Sequence, residues 1–119
     1  MQDRPTAPEL LDAVAGFLEQ DVAPLLDARL RFHARVAANV LRIVQREWEL
    51  GPSQLASQRE LLARLLGRDG EPAELWAELG REIRGGAFDD RQDELLSVLR
   101  SITAQKLAIA NPRYVPSDR

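Results

Sequence analysis

Cysteine is absent from the 119 residues, which excludes a disulfide framework and thiolate metal binding. Histidine occurs once, at His33, so an ordinary zinc site lacks its nitrogen ligands, and the Glu-x-x-His signature of di-iron bundles is missing. No run approaches the roughly 18 apolar residues of a membrane span. The start, MQDRPTAPELLDAV, has no basic segment leading into an apolar one, so it does not read as a secretory signal. Gly-x-Ser-x-Gly, phosphate-binding glycine loops and dinucleotide fingerprints are also missing. These absences predict a cytoplasmic chain with no metal, no cofactor and no membrane span, and an interaction protein before an enzyme.

Cationic surplus is lacking as well. The net charge is −3 and the isoelectric point near 5.2, against the basic surface that duplex nucleic acid requires. The charge is unevenly spread: residues 1–28 carry one Arg against six acids, and residues 29–48 five Arg against one. A helical hairpin whose arms attract one another accounts for that division. The apolar share of 45% and charged share of 29% are those of a globular chain. The length predicts a single domain over 1–119.

What is present is helical. Thr6-Ala-Pro8-Glu9 forms a capping box ahead of a first helix that buries Leu10, Leu11, Val14, Phe17 and Leu18 and ends near Gln20 to Val22, before Pro24. The central helix opens at Ala28 and stops at Gly51-Pro52, with Ser53 capping a third helix over Gln54 to Leu66 that buries Leu55, Leu62, Leu65 and Leu66. Pro72 opens a fourth helix carrying Leu75, Trp76, Leu79 and Ile83 to Gly85-Gly86, and Phe88 tucks back as an anchor. Asp89 or Asp90 caps a last helix, with Leu95, Leu99, Ile102 and Ala110 inward, ended by Asn111-Pro112. Arg113 to Arg119 reads as an extended tail pinned by Tyr114 and Val115. No alternating strand pattern or sustained heptad appears. The expected fold is all-α, a compact antiparallel bundle of about five helices around one long central helix.

The central helix is the one whose buried face looks chemically mixed. At 100° per residue, Phe32, Val36, Val40, Leu41, Ile43, Val44 and Trp48 share one broad apolar side, expected to turn toward its neighbours. Arg29, His33 and Glu47 fall inside that arc. Arg29 and His33, four residues apart, are candidate anion anchors together with Arg35 and Asn39, or else find acids of the first helix such as Asp12, Glu19 or Asp21. Glu47 and Lys106, both on apolar faces near helix ends, are candidates for a buried ion pair, with a snorkelling lysine as the plainer reading.

Three blocks carry a resemblance. Leu30-Arg31-Phe32-His33-Ala34-Arg35-Val36-Ala37-Ala38-Asn39-Val40-Leu41, with Asp3-Arg4-Pro5-Thr6 and Lys106-Leu107-Ala108-Ile109-Ala110-Asn111-Pro112-Arg113-Tyr114, resembles a small bacterial family of unknown function. That family is associated with aminoglycoside-phosphotransferase-like kinases and acyl-CoA dehydrogenases, often as genome neighbours. The resemblance covers nearly the whole chain and brings no catalytic residues. It implies a setting in small-molecule or acyl-CoA catabolism, and a kinase-like or acyl-CoA dehydrogenase partner. A homo-oligomer is expected beside that partner, and an anion- or acyl-ligand site at Arg29 and His33 is the alternative.

Overall fold

The computed structural model describes residues 3–114, which form four α-helices and, among the described residues, no strand: α1 (Ala7–Phe17), α2 (Ala28–Leu66), α3 (Pro72–Arg84) and α4 (Gln92–Ala110). The all-α class and the long central helix are those the sequence predicts. The chain groups into two compact units, Met1–Gly51 and Pro52–Arg119.

In the first unit the capping box forms as expected. Thr6 Oγ1 accepts from the Glu9 amide at 3.3 Å, and the Thr6 amide donates to Glu9 Oε1 at 3.2 Å. Beyond α1 a π-helical turn (Leu18–Val22) and a 3-10 turn (Ala23–Leu25) carry the chain past Pro24. Asp27 then caps α2, its Oδ1 accepting from the Leu30 amide at 2.9 Å. Arg31 reaches back over this junction and donates to the carbonyls of Ala23 and Leu26 at 3.2 and 3.0 Å, the first of which also accepts from the Leu26 amide.

Helix α2 departs from expectation. It runs for 39 residues through Gly51 and Pro52, where the sequence signals an end, and Ser53 lies inside it instead of capping a new helix. Four α-helices therefore stand where five were expected. Beyond the proline the helix is held laterally: Gln54 Nε2 donates to the Gln105 carbonyl at 2.8 Å, and Gln105 Nε2 donates to Ser57 Oγ at 2.8 Å. Gln105 Oε1 is left buried without a partner.

The second unit holds the main apolar core. Leu62 and Leu65 of α2, Leu75 and Leu79 of α3, Phe88, and Ile102 of α4 are buried together, with Leu61, Leu66, Trp76, Leu95, Val98 and Leu99 packed around them. Leu62, Leu75, Ile102 and the Phe88 anchor fall where the sequence puts them. Leu55, expected inside, is exposed, and Ile109 is buried where Ala110 was expected.

Both reversals in this unit end on a left-handed glycine. Gly67 (φ +75°) lets the amides of Gly67 and Arg68 donate to the Ala63 carbonyl at 2.8 and 3.2 Å. Gly86 (φ +86°) serves α3 likewise, its amide donating to Ile83 and that of Ala87 to Glu82. The cap of α4 differs from the expected aspartate. Arg91 occupies the position, with no side-chain cap, and donates instead to Glu94 and to the Leu65 carbonyl near the end of α2 at 3.1 Å. Pro112–Tyr114 forms a 3-10 turn with Tyr114 exposed, so the expected tail starts helically. Val115 and the rest of that tail lie outside the described residues.

Ion pairs fasten the same turns. Arg59 donates to Asp69 at 3.0 and 3.2 Å, and Arg68 to Glu78 at 2.5 Å. The Arg59 hydrogen bond, helped by the Gly70 amide, holds the Asp69 carboxyl below its ordinary range, and Arg91 does the same for Glu94. A carboxylate whose pKa is depressed on folding stabilises the fold above its unfolded value and loses that contribution as pH falls through the folded one. Thermal midpoints are therefore expected to drop below about pH 4. Asp69→Asn should lower the midpoint at pH 7 and converge on the parent in acid, as followed by far-ultraviolet circular dichroism. A gap that stays constant across the acid range contradicts the assignment.

Candidate functional site

The feature with most bearing on function lies on α2 within the first unit. Ala38 is fully buried, and Ala34, Leu41 and Gln45 beside it are half-buried. The face that rests on the unit is thus the small-residue side of the helix. Val36, Val40 and Val44 lie on the far side of the helix from Ala38 and are exposed. Phe32 and Trp48, at the margins of this face, keep 64% and 62% of their surface open. The sequence-based expectation that this apolar side packs inward is therefore corrected for all of it but Leu41 and Ile43, which are half-buried.

The reason is where the anchors sit. Arg42 lies on the packed side, with hydrogen bonds and ion pairs to Asp12 of α1 and, at 2.9 Å, to Glu19. The bond to Glu19, then that to Asp12, raises the Arg42 pKa above its ordinary value against the opposing effect of burial. With Arg31 bound to the carbonyls of Ala23 and Leu26, two arginines fix which side of α2 meets the amino-terminal segment. The alanines between them permit close approach. The apolar arc is left facing outward.

Arg42, which lies off the apolar arc and is not among the sequence candidates, is where the opposed charges of the two segments meet. The signal was available in part, because Asp12 and Glu19, seven residues apart, lie on one face of a helical path. α1 adds to the open apolar surface: Leu10, Val14 and Phe17, expected inside, form an exposed stripe, while Ala15 is buried.

The remaining candidates divide between the units. Arg29, His33, Arg35, Asn39 and Glu47 all belong to α2 in the first unit, and all are exposed. The His33 ring meets Phe32 edge-on at 5.6 Å between centroids. Asp12 and Glu19, considered as partners for Arg29 and His33, are engaged by Arg42. Lys106 belongs to the second unit, where it is exposed and its Nζ stands 5.6 Å over the Trp76 ring in a cation–π contact. Neither Glu47 nor Lys106 is buried.

In the second unit, a small apolar hollow of about 200 Å³ is lined by Ile83, Phe88, Asp89, Gln92, Leu95 and Leu96. A wider, shallow depression runs along Asp89 to Glu94. Among the described residues no three acids, histidines or cysteines cluster so as to hold a metal ion, and no helix is long and apolar enough to cross a membrane.

Neither a comparison with curated proteins nor one with solved structures gave a match. A family model described as "Domain of unknown function (DUF6285)" matches residues 24–114, from the 3-10 turn before α2 to the turn after α4. The chain, whose described residues form helices and no strand, belongs to the DUF6285 family, a domain family of unknown function.

Proposed function

We propose that this chain is a non-catalytic helical interaction module of the cytoplasm, which docks a protein partner on the outward apolar face of α2. The observation that carries this reading is the exposed run Phe32, Val36, Val40, Val44 and Trp48. A contiguous apolar patch left open on a small chain marks a contact surface, and each Val or Phe fully covered on docking is worth about 1.5–3 kcal/mol. The resemblance read in the sequence adds a kinase-like or acyl-CoA dehydrogenase protein as one candidate for that partner, beside a second copy of the chain itself. The alternative of an anion or acyl-ligand site at Arg29 and His33 draws less support, since both side chains stand exposed on the docking face and the second unit's apolar hollow is lined by other residues.

The test is paired affinity capture from the native host, with the wild-type chain and Val40→Glu as baits. Val40 is 51% exposed, so the fold is expected to tolerate the charge. Proteins held by the wild type and lost with Val40→Glu support the reading. A set held equally by both baits, or nothing held by either, overturns it.

A further inference from the structure

The residues along the middle of the open α2 face have an order that the docking reading alone does not explain. Arg29, His33, Val36, Val40, Ile43 and Glu47 are spaced four, three, four, three and four residues apart. That is the spacing of a coiled-coil seam, hidden from a hydrophobicity pattern because three of its six positions are ionisable. The sequence is also balanced end to end about the midpoint between Val36 and Val40. Reversed and laid against itself, the seam sets Arg29 against Glu47, His33 against Ile43, and Val36 against Val40. Each of these residues is exposed or half-buried on α2, with Ala38 on the packed side away from them.

We infer that the face is covered by a second copy of this chain, with the two α2 helices antiparallel about a two-fold axis between Val36 and Val40. This inference rests on the docking face proposed above and names its occupant. Charge complementarity selects the occupant and the direction. In the antiparallel pair each Arg29 meets Glu47 of the second copy, one such contact at either end of the seam, and the valines close the middle. A parallel pair would set Arg29 against Arg29 and Glu47 against Glu47, and like charges placed opposite one another disfavour that register.

The flank of the seam is consistent with the same register. Leu30 comes beside Val44 of the second copy, and Ala37 meets its own copy across the axis, so one margin is apolar throughout and small at the axis. Leu30 and Val44 are both exposed in the single chain. A two-fold contact of this kind closes on itself, since the same patch serves both sides and leaves no second surface to propagate. The interaction is specified in its direction by the end charges and in its strength by the apolar middle.

Sedimentation equilibrium on the full chain tests this, with four proteins: wild type, Glu47→Arg, Arg29→Glu, and the double charge swap. The wild type is expected to be a dimer. Each single swap puts like charges together twice and should weaken the dimer at least roughly tenfold, whereas the double swap reverses both contacts and should restore it. Circular dichroism on the same samples confirms that each variant is folded, since both positions are exposed.

A monomeric wild type at every concentration overturns the self-pairing. So does a dimer that the single swaps do not weaken, or one that the double swap does not restore. The docking reading is judged separately by the Val40→Glu capture: partners lost from that bait while the chain is monomeric leave the reading standing and only the second copy excluded.

Discussion

Leu62→Ala is expected to destabilise the second unit by about 2–5 kcal/mol, the range for deleting a fully buried leucine side chain when its surroundings only partly relax. Leu62 has no exposed surface and sits among Leu65, Leu75, Leu79, Phe88 and Ile102, contributed by three helices and the turn between α3 and α4. Few side chains of this unit are so fully enclosed, so the lost contacts have no solvent-facing substitute. Trp76 packs against the same core and reports its unfolding, and Trp48→Phe removes the other indole from the signal. Urea titration of that background should show a lower midpoint with little change in slope, which marks a loss of stability without a change in the surface exposed. Val40→Ala supplies the contrast. Its side chain is half open in the first unit, so in the isolated chain the midpoint should move by less than about 0.5 kcal/mol equivalent. Equal effects from the two substitutions would mean that the core has been put in the wrong place.

The sequence made that core readable because its signals agree with one another. Leu75 and Leu79 stand four apart on α3, Leu62 and Leu65 three apart on α2, and Phe88 follows a glycine pair that must reverse the chain. The capping box at Thr6 was readable for the same reason, since it is purely local chemistry. The first unit was misread at the level of which face packs. Periodicity locates an apolar arc, but it does not say whether protein or another molecule covers it. Here the decision rests with Arg31 and Arg42, whose partners are backbone carbonyls and the acids Asp12 and Glu19 up to 30 residues away, a pairing no helical wheel contains. The polar residues within the arc, Arg29, His33 and Glu47, were visible as anomalies. Their symmetric placement acquires meaning only once the face is known to be open.

Pro52→Ala is expected to stabilise the chain by about 1–3 kcal/mol, the upper figure being the full difference between proline and alanine in a helix interior. α2 passes through this position, with Gly51 immediately before it. Proline has no amide hydrogen to donate to the Trp48 carbonyl one turn back, and its ring crowds that carbonyl. Alanine restores the bond and removes the crowding. Had the helix ended at Gly51, as glycine followed by proline signals, Pro52 would stand in the first turn of a new helix. There its missing donor costs nothing, and the substitution would change stability by no more than about 0.5 kcal/mol. The size of the effect therefore distinguishes one continuous helix from two. Gly51→Ala sharpens the comparison: in a continuous helix it should add about 0.5–1 kcal/mol. The added methyl would meet only the flexible end of Glu47, at 3.4 Å. If the chain instead broke after Gly51, that glycine would cap the first segment, and alanine there would bring no gain. Urea midpoints for the two single variants and the pair, with helical content from circular dichroism, read the outcome. Gains from both, adding in the pair, are the result required by a helix that runs unbroken from Ala28 to Leu66.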